Sequence, residues 1–231
     1  TALLLLLTIL SAPLALDASA VARAEGTAIP FQDYGDAPDS SNHAELAMTA
    51  YPAVDGRFPT VVQRAGAPGP FHTANPTRLR YILGYGISAE ENADSGADDD
   101  GFSNLAPNLN TADRDGRDDG VALPDTLPHC RPVRMQIAVT VFDRGQAFPE
   151  RAFVNAWFDF DRNGQWGEQQ TCAGAVVSAE WAVANHGISL PGPGTHLLTL
   201  PAFVAWNAQP GGDMWLRVTL SDSQAPAADG S

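Results

Sequence analysis

An all-β fold, a β-sandwich carrying a long acidic, turn-rich amino-terminal lobe, is predicted by three features of the sequence. Apolar and polar residues alternate in short segments of the carboxyl-terminal half. Breakers such as Pro191-Gly192-Pro193-Gly194 separate those segments, and Gly, Pro, Asp and Asn crowd the amino-terminal half without a sustained helical period.

The first stretch, Ala2 to Leu16, is almost wholly apolar and contains Pro13. It is shorter than the roughly 20 residues that span a bilayer, and small residues follow it, so it reads as a signal peptide over residues 1–24. Ala22-Arg23-Ala24 is the better cleavage site and leaves Glu25 as the first mature residue; Ala18-Ser19-Ala20 is the second choice. No Met and no basic flank precede the apolar run, so the sequence is expected to be a fragment at its amino end. No second apolar run follows it, which predicts a secreted or cell-surface product with no membrane insertion after cleavage.

Residues 25–128 form the expected lobe. Its turn chemistry is dense, and the aromatic residues Phe31, Tyr34, Tyr51, Phe58, Phe71, Tyr81 and Tyr85 predict a segment packed onto something rather than a disordered linker. Residues 129–231 form the expected sandwich core, the two parts making one unit. Val133, Met135, Ile137, Val139 and Val141 alternate with polar or small residues as a half-buried strand. Ala152 to Phe160 is a second strand, apolar on both faces, Thr195 to Leu200 a third, and Met214 to Leu220 a fourth. Val176 to Ala184 alone carries a helical period.

Acidic residues number 27 against 13 basic ones, every one of them Arg, for a formal net charge of -14. Such a surface repels nucleic acid and anionic membranes. Cys130 and Cys172 lie in an exported chain, where an oxidising compartment makes a disulfide the default and two free thiols the alternative. The bridge would stabilise the fold by about 4 kcal/mol through the unfolded chain.

The sharpest chemical signal is Asp159-Phe160-Asp161-Arg162-Asn163-Gly164-Gln165-Trp166-Gly167-Glu168. Calcium takes six to eight hard oxygens, and loops that hold it place ligands at positions 1, 3 and 5, Gly at 6 and a carbonyl at 7. Asp159, Asp161, Asn163, Gly164 and the Gln165 carbonyl fit that spacing. The closing carboxylate would be Glu168, at position 10; Gln170 stands at position 12. The competing reading is an Asx-rich turn that binds nothing. A second acidic tract runs from Glu90 to Asp119, within which Asp113, Asp115 and Asp119 are a possible second metal group; Arg117 interrupts the spacing, and a solvated charge run is the alternative. The sequence contains no His-Glu-x-x-His, Gly-x-Ser-x-Gly, phosphate loop or Cys-x-x-Cys, which predicts a non-enzyme.

Several pieces occur in an order that carries a family resemblance: Asp33-Tyr34-Gly35-Asp36-Ala37-Pro38-Asp39-Ser40, Phe58-Pro59-Thr60, Gly69-Pro70-Phe71-His72, Leu83-Gly84, Ala89-Glu90, Asp98-Asp99-Asp100-Gly101 and Asp118-Asp119-Gly120-Val121. Val154-Asn155-Ala156-Trp157-Phe158-Asp159 through Trp166 completes the series. Together they resemble the GEVED-domain family of bacterial extracellular proteins. The Gly-Glu-Val-Glu-Asp motif of that family is missing, and the sequence stops at Asp229-Gly230-Ser231, about where the motif is due, so a fragment is expected at this end also.

The resemblance implies a β-rich accessory domain of poorly defined role beside other domains of a larger extracellular polypeptide, with calcium-dependent structure; the residues and the resemblance together are read as a non-catalytic module with a structural or adhesive role toward a protein or glycan on a surface. A carbohydrate-binding module stacking sugars on exposed Trp157, Trp166, Trp181, Trp206 or Trp215 is the first alternative. A hydrolase with paired carboxylates in a cleft is the second.

Overall fold

The structure, a computed structural model, describes residues 32–33, 35, 37–41, 47–60, 69, 72–73, 77–87, 120–209, 211–224 and 227–230. The signal peptide and the candidate group Asp113, Asp115 and Asp119 lie outside these residues, as do Phe31, Tyr34 and Phe71.

The described chain is built of strands, with no α-helix among the described residues. The amino-terminal part supplies β1 (Gln32–Asp33), β2 (Thr49–Tyr51), β3 (Val54–Asp55), β4 (His72–Thr73) and β5 (Tyr81–Leu83). Next come β6 (Val121–Ala122), β7 (Arg131–Val133), β8 (Gln136–Val141), β9 (Glu150–Phe158) and β10 (Gln169–Thr171). A 3-10 turn at Ala173–Ala175 leads to β11 (Val177–Ala179), β12 (Trp181–Leu190), β13 (Gly194–Thr199), β14 (Phe203–Ala205) and β15 (Leu216–Ser221).

Two antiparallel sheets enclose the core. One has the order β12-β9-β15; the other has the order β13-β8-β5, with β6 also paired to β8. Ile137, Val139 and Val141 from β8 meet Ala152, Val154, Ala156 and Phe158 from β9 in a single buried cluster. This is the predicted sandwich, and each inward set has the period of two that a pleated strand requires.

The expected strand from Val133 to Val141 is split into β7 and β8. β7 leaves to pair with β14, while Leu200 donates its N–H to the Met135 carbonyl at 3.0 Å. β5 and β6 lie end to end along one edge of β8, so the lobe contributes strands to the core sheet. At their junction Gly84 donates to Ala138 and Ala138 donates to Gly120. A β-carbon on Gly120 would lie 2.5 Å from the Gly84 nitrogen, so this close approach needs glycine.

β9 is central in its sheet, which explains its two apolar faces. Val154, Ala156 and Phe158 enter the sandwich core, while Trp157 packs in a second cluster with Ala37, Phe58 and Trp166. The second cluster is where the lobe docks. Arg217 of β15 fastens it further: its guanidinium sits 4.4 Å over the Trp166 ring and donates to the Gly230 carbonyl at 3.0 Å and to Thr60 Oγ1 at 2.9 Å.

The expected helical segment, Val176 to Ala184, is instead β11 and the start of β12. The burial runs against the apolar spacing. Val176 and Val177 are exposed, whereas Ser178 and Glu180 are buried with their polar atoms satisfied by hydrogen bonds. Partnered polar groups can occupy interior positions that a hydrophobic count assigns to Val.

Cys130 and Cys172 form a disulfide with Cα atoms 5.6 Å apart. It ties the β7–β14 pair to the β10–β11 hairpin.

Candidate metal centre

β9 ends at Phe158, and the next residues continue its alternation. Phe158 and Phe160 both enter the sandwich core and stack with ring centroids 5.2 Å apart. Asp159 is thereby turned to the opposite side, the side on which the lobe docks. Its two oxygens close the following turn: Oδ1 accepts the Asn163 N–H at 3.0 Å and Oδ2 accepts the Gly164 N–H at 2.9 Å. The turn needs a left-handed residue, and Gly164 supplies it at φ +84°. A β-carbon there would lie 2.2 Å from the Asp55 carbonyl oxygen, so glycine also lets β3 approach the turn.

Asp161 is half-buried. Its Oδ1 accepts the Asn163 N–H at 3.1 Å, and its Oδ2 accepts Asn163 Nδ2 at 3.3 Å and Gln170 Nε2 at 2.8 Å. Glu180 comes from the bend between β11 and β12 and is fully buried. Its Oε1 accepts the Phe160 N–H at 3.1 Å and its Oε2 the Glu168 N–H at 3.0 Å. One oxygen from each of Asp159, Asp161 and Glu180 lies within 4.8 Å of the others, so the triad could hold a metal ion.

Of the residues predicted from spacing, Asp159 and Asp161 are therefore brought together. Asn163 lies beside them with its Oδ1 accepting the Gln165 N–H at 3.0 Å. Gln165 and Glu168 are exposed and bond to each other, Nε2 to Oε1, at 2.8 Å. The third carboxylate of the group is Glu180, while the exposed Glu168 lies beside Asp161 and shares a side-chain hydrogen bond with it. A lone acid among the apolar residues of Val176 to Ala184 was the only sequence signal of Glu180.

A further element comes from the lobe. The Tyr51 hydroxyl accepts the Trp215 N–H at 3.0 Å and bonds to Asp159, while Trp215 Nε1 donates to the Ala50 carbonyl at 3.0 Å. Burial pushes the Tyr51 hydroxyl well above its ordinary range, so it stays protonated and donates to the carboxylate.

Burial dominates the electrostatics of the three acids. Burial raises Asp159 to about 6, against the lowering effect of the Gly164, Tyr51 and Asn163 hydrogen bonds. Burial likewise raises Glu180 to about 7, and the charges of Asp161 and Asp159 add to it. Asp161 is raised by burial and by the nearby Glu168 charge. The hydrogen bonds fix the carboxylates in place without offsetting the loss of water. When ionised, the triad thus concentrates negative charge that a cation or protons would neutralise. The donors are oxygens, with no His or Cys in the group, which suits a hard cation.

The triad does not line the open cleft that lies nearby. That cleft is bounded by residues including Asp39, Asp55, Arg57, Gln165 and Asp229. None of the five tryptophans is exposed: Trp157 and Trp166 are buried, and Trp181, Trp206 and Trp215 are half-buried.

Compared with known protein families, curated proteins and solved structures, the chain matches none.

Proposed function

We infer that this chain is a non-catalytic, calcium-stabilised module of a larger secreted or cell-surface bacterial protein, similar to GEVED domains, with a structural or adhesive role. The observation that carries the reading is the buried carboxylate group of Asp159, Asp161 and Glu180, whose pKa values are raised despite their hydrogen bonds. Three carboxylates would supply part of a calcium shell, with water or loop carbonyls supplying the rest. Calcium suits the setting because extracellular modules work at dissociation constants of about 0.1 to 1 mM. The disulfide accords with an oxidising compartment. No helix among the described residues is long and apolar enough to cross a membrane.

Raised carboxylate pKa values also occur in hydrolases. Here Asp159 and Glu180 have no exposed surface, and the cleft opens elsewhere, so the geometry favours a small cation over a polymeric substrate. The half-buried and buried tryptophans likewise favour packing over sugar stacking.

Calorimetric titration of the calcium-free protein with calcium chloride tests the reading. One ion should bind per chain at a submillimolar to millimolar constant, and Glu180→Gln should weaken binding at least tenfold. No binding heat at millimolar protein and calcium would remove the cation from the proposal.

A further inference from the structure

We propose that the Cys130–Cys172 disulfide is a thiol-sensitive latch on the cation site, so that reduction by a dithiol weakens calcium binding while leaving the sandwich folded. The proposal rests on the cation reading above.

The latch acts through the β10–β11 hairpin, which pairs Gln169 with Ala179, Gln170 with Ser178 and Thr171 with Val177. One arm carries Gln170, whose side chain donates to Asp161, and the other leads directly into Glu180. At the base of the hairpin, Glu180 donates its N–H to the Glu168 carbonyl at 3.0 Å. Both triad contacts therefore depend on where the hairpin sits. Its far end, Ala173 to Val177, is exposed throughout. Among the described residues, the hydrogen bond from Ser178 Oγ to the Val204 carbonyl at 2.7 Å and the bond of Cys172 to Cys130 help hold that end to the body. Cys130 is itself fixed, since its N–H donates to the Ala205 carbonyl at 2.7 Å beside the β7–β14 pair.

The surroundings of Cys130 favour opening of the bond. Its residue is half-exposed, whereas Cys172 is buried, so an incoming thiolate reaches Cys130 Sγ first. Cys130 also holds a left-handed φ of +53°, a conformation that a residue with a side chain adopts at a cost. His129 stands alongside. Its Nδ1 accepts the Asn207 N–H at 3.1 Å, which places the imidazole proton on Nε2, and Nε2 lies 3.4 Å from Cys130 Sγ.

Attack by one sulfur of the dithiol on Cys130 Sγ breaks the protein S–S bond, and Cys172 leaves as a thiolate that is protonated from solvent. The second dithiol sulfur then attacks the mixed disulfide and closes a cyclic disulfide. Cys130 departs as a thiolate that accepts the His129 Nε2–H hydrogen bond until it too is protonated. Two electrons and two protons thus pass from the dithiol to the protein.

The test is a calcium titration of the whole protein, oxidised and dithiothreitol-reduced, with the Cys130→Ser/Cys172→Ser double variant in parallel. Near-ultraviolet circular dichroism and hydrogen exchange accompany it. The latch predicts an apparent calcium constant about tenfold weaker in the reduced protein and in the double variant. It also predicts faster exchange at Gln169–Ala179, unchanged exchange in β9 and a retained near-ultraviolet spectrum. Equal constants in the oxidised and reduced protein would overturn it, as would loss of the near-ultraviolet spectrum, which would make the bond a brace for the whole fold. Failure of the oxidised protein to bind calcium would sink the cation reading itself, whereas calcium binding by the oxidised form with no redox effect would sink only the latch.

Discussion

The carboxylate of Glu180 accepts the backbone N–H of Phe160 at 3.1 Å. This bond joins the start of β12 to the turn that follows β9, and it places a buried acid from one hairpin against the two acids of another segment. The same carboxylate reaches the Glu168 N–H through its other oxygen, so Glu180 spans both ends of the acidic loop.

The dependence of stability on pH should differ with and without cation. The folded-state values, about 6 for Asp159 and about 7 for Glu180, lie above those of an unfolded chain. The folded protein then binds protons more tightly than the unfolded one. The stability this contributes is fully present below about pH 4, near the unfolded carboxylate values, and is lost as pH rises through about 6 to 7. Each acid accounts for on the order of 3 kcal/mol, since one pKa unit is about 1.4 kcal/mol. Differential scanning calorimetry in calcium-free buffer should show Tm falling across this range. Saturating calcium should flatten or reverse the fall because the ion requires the deprotonated acids. Parallel curves in the two buffers would contradict this.

Tyr51→Phe should destabilise the protein by about 1 to 2 kcal/mol, because it leaves the Trp215 N–H without its acceptor and removes a donor from Asp159. Losing that donor should also raise the Asp159 pKa, so calcium binding near pH 6 should suffer more than binding at pH 8. Equal loss at both values would mean that Tyr51 braces the lobe and does not tune the carboxylate.

Much of this architecture is legible in the sequence. The alternation in Val133 to Val141 marks the inward residues of β8, and the two apolar faces read in Ala152 to Phe160 find their reason in the central place of β9 between β12 and β15. Asp159 and Asp161 were readable because a turn stitched by its own side chains is a local event with a fixed spacing. Glu180 was not readable. Its place depends on β10–β11 pairing, and Gln169-Gln170-Thr171 shows no apolar alternation because that hairpin lies largely at the surface. Tyr51 reads from the sequence only as a packing aromatic, since its contact with Asp159 follows from lobe docking, a long-range event that no local spacing records.

The most direct test of the account is the melting temperature of the unmodified protein at pH 7.5 in 10 mM calcium and in chelator. A dissociation constant of about 0.1 to 1 mM gives a linkage stabilisation of about 1.4 to 2.7 kcal/mol. For a chain of this size that is a rise of roughly 3 to 10 °C. Asp161→Ala and Glu180→Gln should each lose most of the rise while keeping the β-sheet circular dichroism spectrum. A calcium-dependent rise that vanishes in both variants is the predicted result; the same melting temperature in calcium and in chelator would show that Asp159, Asp161 and Glu180 only stitch a turn.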